Sequence, residues 1–195
     1  MNICIIGAGW FGCHIARKLI EDGHEVKIFE KEKNIFSNAS GNNQNRLHLG
    51  FHYPRSKKTI EFSKKGFSKF KKEYGFLTKK VKNNIFSISK SKNTKINYDK
   101  YSETLKKFNL GFKSLVKKNV VKNFKNLDGS ILCKEELILV SKSIEYFKKK
   151  LKSKIVYNFQ VNKIKKKYNK FIINNQNFDY LINCTGLRLN NTFIK

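Results

Sequence analysis

The sequence predicts an α/β fold that begins with a compact strand–helix–strand unit. Residues 2–6 (NICII) form a short apolar run, which is typical of a buried parallel strand. Residues 10–21 repeat apolar side chains at helical spacing, and Gly23 stands where a glycine commonly ends a helix. Residues 25–29 (EVKIF) form a second strand that runs into Glu30. The three segments together predict a βαβ unit at the start of the chain.

The rest of the chain alternates between helical and extended patterns. Residues 31–46 are rich in Asn, Ser and Gly and predict a loop. Amphipathic patterns predict helices at residues 59–74, 98–108 and 135–151. Residues 116–132 are ambiguous, with strand-like pieces at 120–121 and 131–132. Short apolar or alternating runs predict extended segments at residues 47–53, 84–89, 155–164, 171–173 and 178–184.

The chain of 195 residues is strongly basic, with a formal net charge of +28. Lysine supplies nearly all of this charge and is scattered along the sequence with abundant Asn and Ile, a pattern that A/T-rich codon usage produces. The competing interpretation is a protein that binds nucleic acid or an acidic membrane. Proteins that read nucleic acids favour arginine for bidentate contacts, and the arginines here are only Arg17, Arg46, Arg55 and Arg188. We therefore predict no specific nucleic-acid partner and keep nucleic-acid binding as an alternative.

The cysteines predict neither a metal site nor a disulfide framework. They are far apart and form no C-x-x-C pair. Cys4, Cys13 and Cys184 lie inside apolar runs, which predicts that each is a small buried hydrophobic residue. We accordingly predict no metal ligands.

The hydropathy pattern predicts a cytoplasmic protein. No window approaches the roughly 18–20 apolar residues of a transmembrane helix. The N-terminus is apolar, but it has neither the basic region nor the small-residue cleavage site of a signal peptide. We expect no transmembrane segment.

A glycine pattern, Gly7-x-Gly9-x-x-Gly12, follows the first strand directly and opens the first helix. Gly7 permits the tight turn, Gly9 lets the backbone approach a pyrophosphate, and Gly12 lets helix and strand pack closely. The helix N-terminus offers free N–H groups to phosphates, and a carboxylate at Glu30 suits a ribose diol. This order of elements predicts a Rossmann-like dinucleotide-binding domain rather than a glycine-rich turn without a ligand. The pattern by itself leaves FAD and NAD open, whereas Glu30 disfavours NADP.

Several stretches, in order along the chain, resemble the FAD-dependent oxidoreductases of the D-amino-acid oxidase type. The clearest are "IIGAGWFGCHIARKLIEDGHEVKIFEKE" at the start and "FDYLINCTGL" near the end, the latter being similar to a hydrophobic strand that runs into Thr and Gly. Between them, "SNASGNNQNRLHLGFHY", "NIFSIS", "CKEELILVSKSIEYFKKKL" and "IVYNFQVNKI" are similar to successive segments of the family. The two ends together favour FAD over NAD.

The resemblance implies a fold and a set of cofactor contacts. The fold is an FAD/NAD(P)-binding Rossmann-like domain, residues 1–80 and 135–195, with an inserted, incomplete α+β substrate-domain portion at residues 81–134. Gly7, Gly9 and Gly12 would cradle the pyrophosphate, and Trp10 and Phe11 would pack the first helical turn beside it. The remaining cofactor-binding residues would be Glu30 and Lys31 at the adenosine ribose, Ser40 and Asn42 near the pyrophosphate and ribityl, Val161 by its backbone at the adenine, and Thr185 and Gly186 in the second motif.

Residues 40–56 (SGNNQNRLHLGFHYPRS) combine polar and apolar residues with a two-residue period. In a strand, Arg46, His48, Gly50 and His52 would share one face and leave the apolar residues on the other. The resemblance places this face along the flavin ring. Arg46 would pair with an anionic substrate or the pyrophosphate, His48 or His52 would lie at the ring edge, and Gly50 would permit close approach. The alternative is that these side chains are solvated or structural.

We therefore predict an FAD-dependent oxidoreductase that moves a hydride from an amine- or hydroxyl-bearing carbon of a small-molecule substrate to flavin N5. Arg46, His48 and His52 are the candidates for catalytic contact. Chains of the resembled family continue well past the Thr–Gly motif, so a truncated or split form, or a partner subunit that completes the site, is expected. The alternatives are a non-catalytic dinucleotide-binding fragment and a basic nucleic-acid-binding protein.

Overall fold

The computed structural model describes residues 1–115, 125–186 and 193–194 of the chain. The helices are α1 Trp10–Glu21, α2 Lys57–Tyr74, α3 Tyr98–Lys107 and α4 Val140–Leu151. The strands are β1 Asn2–Ile6, β2 Glu25–Phe29, β3 Arg46–Leu47, β4 Thr78–Lys80, β5 Asn84–Ser89, β6 Phe112–Ser114, β7 Leu127–Cys133, β8 Glu136–Ile138, β9 Ile155–Val156, β10 Lys163–Lys167, β11 Lys170–Ile173, β12 Gln176–Phe178, β13 Tyr180–Asn183 and β14 Phe193–Ile194. The strand-like piece expected at residues 120–121 lies outside the described residues. Among the described helices, none combines the length and the apolar character that crossing a membrane requires.

The chain divides into two compact units, residues 1–45 with 140–195, and residues 46–139. These boundaries differ from the predicted ones, which assigned residues 46–80 to the dinucleotide-binding domain. The difference arises because β3 and β4 both pair antiparallel with β8, so that residues 46–80 cluster with the segment before α4.

The first unit is built on a parallel sheet in the order β13–β1–β2–β9. β1 is central and apolar, and its residues Ile3–Ile6 are buried, as expected of a strand covered on both faces. α1 ends at Glu21, and Gly23 follows the helix with a positive φ of 80°, the left-handed conformation that glycine adopts most easily. Cys4 and Cys13 are fully buried, and burial raises the pKa of the Cys4 thiol to about 12. Both are buried hydrophobic residues, as predicted, whereas Cys184, for which burial was also predicted, is only half-buried.

A second sheet of the first unit has the order β12–β11–β10–β14. It packs its apolar side chains against those of β1 and β2 in one hydrophobic core, formed by Cys4, Ile6, Phe29, Val161, Ile164, Ile173 and Phe178. The continuous strand predicted at residues 155–164 was wrong: β9 ends at Val156 and β10 begins at Lys163. Val161 lies between the two strands and keeps its side chain in the core.

The second unit contains two antiparallel sheets, β3–β8–β4 and β5–β7–β6. Its core joins α2, α3 and β7 and includes Phe51, Ile60, Tyr101, Leu105 and Ile131. The helix predicted at residues 135–151 begins only at Val140, because Glu136–Ile138 forms β8 between two partner strands.

A partly buried ion pair, together with a hydrogen bond, connects β8 to α2 and β4. Glu136 Oε2 lies 2.6 Å from Lys71 Nζ and 2.6 Å from Thr78 Oγ1. Burial by itself raises the pKa of Glu136, but the two hydrogen bonds and the charges of Lys71 and Lys80 outweigh it and hold that pKa below its usual value. Such a carboxyl stabilises the fold above its unfolded pKa of about 4.3, and this stabilisation is lost as the pH falls through the lower folded value.

We expect Glu136→Gln to lower the free energy of unfolding by about 1–2 kcal/mol at pH 7, since it removes charge-assisted hydrogen bonds. The difference from the unmodified chain should shrink as the pH falls below about 4, where the carboxyl of Glu136 itself becomes protonated. Urea unfolding at pH 7 and at pH 3 measures both values. Glu103→Gln, on the exposed face of α3, is the control and should change stability by less than about 0.5 kcal/mol. A deficit that is the same at both pH values would contradict the assignment.

Candidate functional site

The glycine motif and the late Thr–Gly motif meet at the carboxyl edge of the parallel sheet. β1 pairs in parallel with β13, and Cys184 N donates to Ile6 O at 2.8 Å just beyond the paired residues. Gly7 has a φ of 99°, and a Cβ atom placed on it would lie 2.8 Å from Cys184 O. The two motifs are therefore in backbone contact, which the sequence order alone did not show.

Gly9 and Gly12 open the N-terminus of α1. Gly9 is the N-terminal cap residue, and a Cβ atom on it would meet only Ser40 Oγ, at 3.0 Å. Ser40 Oγ in turn accepts a hydrogen bond from Trp10 N at 2.9 Å. A Cβ atom on Gly12 would lie 1.9 Å from Gly7 O, so helix and loop touch there. The first turn of α1 thus presents bare backbone at Gly9, with a hydroxyl beside it, which fits the needs of a pyrophosphate.

Glu30 follows β2 at the same edge of the sheet and is 8% exposed. Its Oε2 accepts from Ala8 N at 2.6 Å, and its Oε1 accepts from Glu32 N at 3.0 Å. The carboxylate therefore fixes the glycine loop. Because each carboxylate oxygen has two lone pairs, Glu30 keeps acceptor capacity for a ribose diol.

The aromatic residues inside the motif behave differently from each other. Trp10 packs against Phe36 and Phe147, with ring centroids 5.3 Å and 5.5 Å apart. Phe11 is 75% exposed, so the expectation that it packs the first helical turn was wrong. The reason is its position on α1: the neighbouring Gly12 and Cys13 face the sheet, whereas Phe11 points away from it.

The remaining predicted cofactor residues of the first unit lie on its loops. Lys31 is exposed and pairs with Glu32 at 3.4 Å. Asn42 is exposed and donates from Nδ2 to Ser37 O at 2.7 Å. Neither side chain is directed by these contacts toward the glycine loop.

The Thr–Gly motif is held by a residue that the sequence analysis did not single out. Asn183 Oδ1 accepts from Thr185 N at 3.0 Å and from Thr185 Oγ1 at 2.8 Å. Gly186 follows with a φ of 68°, which glycine adopts without strain. An Asn two residues before the turn is a recognisable signal for this arrangement.

The stretch predicted to be extended at residues 47–53 is a strand only over Arg46–Leu47. Gly50 turns the chain with a φ of 116°, and a Cβ atom on it would lie 3.1 Å from Ile60 Cγ2. The small size of Gly50 therefore serves packing against α2, and its approach to a flavin ring stays a prediction. Leu47 and Phe51 are buried, as the alternation predicted.

The predicted polar residues of this stretch meet around a buried carboxylate, Glu135. Its Oε2 lies 3.4 Å from Arg46 Nη1, and its Oε1 lies 3.7 Å from His48 Nδ1. His48 and His52 pack edge to face with ring centroids 4.5 Å apart. Glu135 was missed because its sequence context resembles the first turn of a helix.

Neighbouring groups fix Arg46 and set the charge of His52. Arg46 Nη1 donates to Asn84 Oδ1 at 2.5 Å, and the guanidinium lies 5.8 Å from the centre of the Phe86 ring. Partial burial, followed by the neighbouring His48, lowers the pKa of His52, and Glu135 offsets this only in part. The lowered pKa favours the neutral form of His52 at pH 7.

The fold of the first unit, and the motifs at the carboxyl edge of its parallel sheet, indicate the class of protein to which the chain belongs. A parallel sheet with a glycine motif after β1, a carboxylate after β2 and a Thr–Gly turn after β13 is the arrangement of a Rossmann-like dinucleotide-binding domain. The family model described as "FAD dependent oxidoreductase" (DAO) matches residues 2–194, and the chain belongs to this family. This membership confirms the predicted family and fold class, and FAD is the cofactor of the family.

Curated relatives include fungal flavoenzymes. "FAD-dependent monooxygenase FPY4" of Fusarium mangiferae is 33% identical over 184 residues, which is 94% of this chain and 49% of that protein. "FAD-dependent monooxygenase kojA" of Aspergillus flavus is 45% identical over 74 residues, covering 38% of this chain and 17% of that protein. The chain therefore spans at most about half the length of these relatives.

Solved structures share the fold. L-α-glycerophosphate oxidase from Mycoplasma pneumoniae superposes with a TM-score of 0.68 at 18% identity, covering 92% of this chain and 52% of that one. L-proline dehydrogenase from P. horikoshii superposes with a TM-score of 0.67 at 19% identity, covering 94% and 52%. At this identity the similarity is one of fold.

Proposed function

We propose that the first unit binds FAD in an oxidoreductase that takes a hydride from an amine- or hydroxyl-bearing carbon. The observation that carries the proposal is the contact between Gly7 and the backbone of Cys184, which joins the two motifs at one sheet edge. The bound flavin would supply the hydride acceptor, N5, and the protein would supply binding and orientation.

The residues of the first unit would each hold one part of the cofactor. The bare backbone at Gly9 and the N–H groups of the first turn of α1 would bind the pyrophosphate, with the Ser40 hydroxyl beside it. Glu30 would accept hydrogen bonds from the adenosine ribose. Val161 would offer its backbone to the adenine, because its side chain is committed to the core. Thr185 and Gly186 would close the second motif.

In the second unit, Arg46 would bind an anionic group of a small-molecule substrate. Its guanidinium is held by Asn84 and Glu135, and a fixed, planar guanidinium is well suited to a carboxylate or phosphate. His48 and His52 would contribute hydrogen bonds to the substrate. The lowered pKa of His52 favours its neutral form, so this residue would not contribute a positive charge. We also propose that a further subunit or chain segment completes the substrate-binding side of the site.

An alternative function is binding of FAD without turnover by this chain alone. It is favoured by the coverage of the relatives, since the chain spans 49% of the Fusarium protein. Assaying FAD retention and flavin reduction by amino acids and hydroxy acids separately distinguishes the two: retention without reduction by any of them favours the alternative.

The direct test is the visible spectrum of the purified 195-residue chain. We expect a yellow protein with the absorption bands of oxidised flavin, or one that acquires them when FAD is added and free FAD is removed. A folded, colourless chain that does not retain added FAD would overturn the proposal.

Gly9→Val should weaken FAD binding by at least about 100-fold, corresponding to roughly 3 kcal/mol, because the added methyl groups occupy the space of the pyrophosphate. The fold should survive, since among the described residues the only atom near the new Cβ is the tip of the Ser40 side chain. Fluorescence titration with FAD measures the affinity, and circular dichroism checks the fold. Gly111→Val, at a glycine with open space around it, is the matched control and should bind FAD normally. Normal retention by Gly9→Val would reject the glycine motif as the pyrophosphate site.

A further inference from the structure

We propose that His48, His52 and Glu135 form a binding site for a divalent transition-metal ion of the zinc class. One ligand atom from each side chain lies within 4.8 Å of the other two. The site shares His48 and His52 with the proposed substrate side, where the ion would lie beside Arg46. It does not rest on FAD binding, because all three ligands belong to the second unit and the FAD contacts argued above belong to the first.

The spacing of the two histidines suits a shared ion. Three residues separate His48 from His52, which falls within the H-x₃₋₅-H range of zinc sites. The turn at Gly50, closed by a hydrogen bond from Tyr53 N to Gly50 O at 3.0 Å, brings the two rings together. The two imidazoles are thus placed side by side by the backbone and not by a hydrogen bond between them.

His48 has an unsatisfied nitrogen that points to the third ligand. Its Nδ1 is buried and, within the described residues, has no hydrogen-bond partner. Glu135 Oε1 is 3.7 Å away, too far for a hydrogen bond. Burying a polar atom without a partner costs free energy, and an ion between the nitrogen and the carboxylate would satisfy both groups.

Glu135 is held as metal-ligating carboxylates commonly are, by hydrogen bonds from outside the site. Its side chain is fully buried, Arg46 Nη1 lies 3.4 Å from Oε2, and Leu49 N donates to Oε1 at 3.4 Å. Outer contacts of this kind orient a ligand without using all its lone pairs. The positive charge of Arg46 would repel a bound cation, but the carboxylate of Glu135 lies between Arg46 and the ion and reduces this repulsion.

The ligand types select the kind of ion. Imidazole suits zinc, nickel, copper and iron, whereas magnesium and calcium prefer oxygen ligands. Ligand distances of about 2.1 Å require ligand atoms about 3.4 Å apart in a tetrahedral site. The ligand atoms would therefore have to approach one another by up to about 1.4 Å, which the exposed His52 can supply by rotation about its side-chain bonds. Three protein ligands leave a fourth position open for water or an anion.

The test uses the untagged 195-residue chain, stripped of metal by EDTA and kept free of FAD. Titration with zinc sulfate in a calorimeter, with metal content after gel filtration, should give one ion per chain. Cobalt(II) in place of zinc should produce the visible bands of a four- or five-coordinate site. A folded chain that retains no zinc and gives only the spectrum of hydrated cobalt would overturn the proposal.

Single-residue variants identify the ligands. His52→Asn, at an exposed position, should fold normally and bind zinc at least about 10-fold more weakly. Glu135→Gln should do the same, and if it does not fold, His52→Asn decides alone. His24→Asn, in the first unit, is the control and should bind zinc like the unmodified chain. Equal zinc affinity of His52→Asn and the unmodified chain would overturn the site.

The FAD titration is carried out separately in EDTA. A chain that binds FAD but no zinc fails only the metal proposal, and a chain that binds zinc but no FAD fails only the proposed function.

Discussion

Gly12→Ala should remove several kcal/mol of folding free energy. A Cβ atom at this position would lie 1.9 Å from Gly7 O and 3.1 Å from Gly7 C, and both are backbone atoms. Gly7 cannot retreat, because a Cβ atom placed on it would itself meet the backbone of Cys184 at 2.8 Å. Inserting one methyl group into a packed core costs about 1–3 kcal/mol, and here the backbone must move, so we expect at least about 3 kcal/mol. Since domains are stable by only about 5–15 kcal/mol, the midpoint of urea unfolding should fall markedly.

Gly66→Ala is the matched control for this experiment. Gly66 lies in α2, and no atom of the part of the chain that the structure describes stands within 4 Å of a Cβ atom on it. Alanine in a helix interior is more favourable than glycine by about 0.5–1 kcal/mol, so this variant should be slightly more stable. If Gly12→Ala unfolds at the same urea concentration as the unmodified chain, α1 does not pack on the glycine loop as described.

For elements whose pattern lies within one short segment, the sequence predicted the first and last residue correctly. β1, α1, β2 and β5 have the predicted bounds, because each carries its periodicity within one short segment and is ended by a turn residue. The error at residues 135–151 has a physical cause. Leu137 and Ile138 fit a helical apolar stripe equally well, and only the pairing of β8 with distant β3 and β4 makes them a strand.

In the candidate site, too, only the parts with local sequence patterns could be predicted. The glycine motif and Glu30 are local signals, and the structure brings them to one edge of the sheet. The group around Glu135 was not predictable, because Glu135 reaches Arg46 and His48 only through the pairing of β3 with β8. The alternation at residues 46–53 singled out polar residues that the structure gathers near Glu135, although Gly50 turns the chain where a strand was expected.

Glu30→Ala should impair both the fold and FAD binding. The buried carboxylate of Glu30 accepts a hydrogen bond from Ala8 N at 2.6 Å, and alanine would leave this buried N–H without its acceptor. An unsatisfied buried donor costs about 1–3 kcal/mol, which urea unfolding will register. Loss of the charged acceptor for the ribose should weaken FAD binding by about 10–100-fold, since hydrogen bonds to charged groups contribute about 1.5–3 kcal/mol.

The effects of Glu30 on stability and on FAD binding can be separated with Glu30→Gln and a control variant at the start of β2. Glutamine keeps an acceptor for Ala8 N but not the charge, so Glu30→Gln should lose more FAD affinity than stability. Glu25→Gln lies at the opposite end of β2, where an exposed carboxylate pairs with Lys154, and should change either quantity little, because exposed ion pairs contribute only about 0–1 kcal/mol. If Glu30→Gln binds FAD as tightly as Glu25→Gln does, Glu30 is a residue that holds the glycine loop and makes no contact with the cofactor.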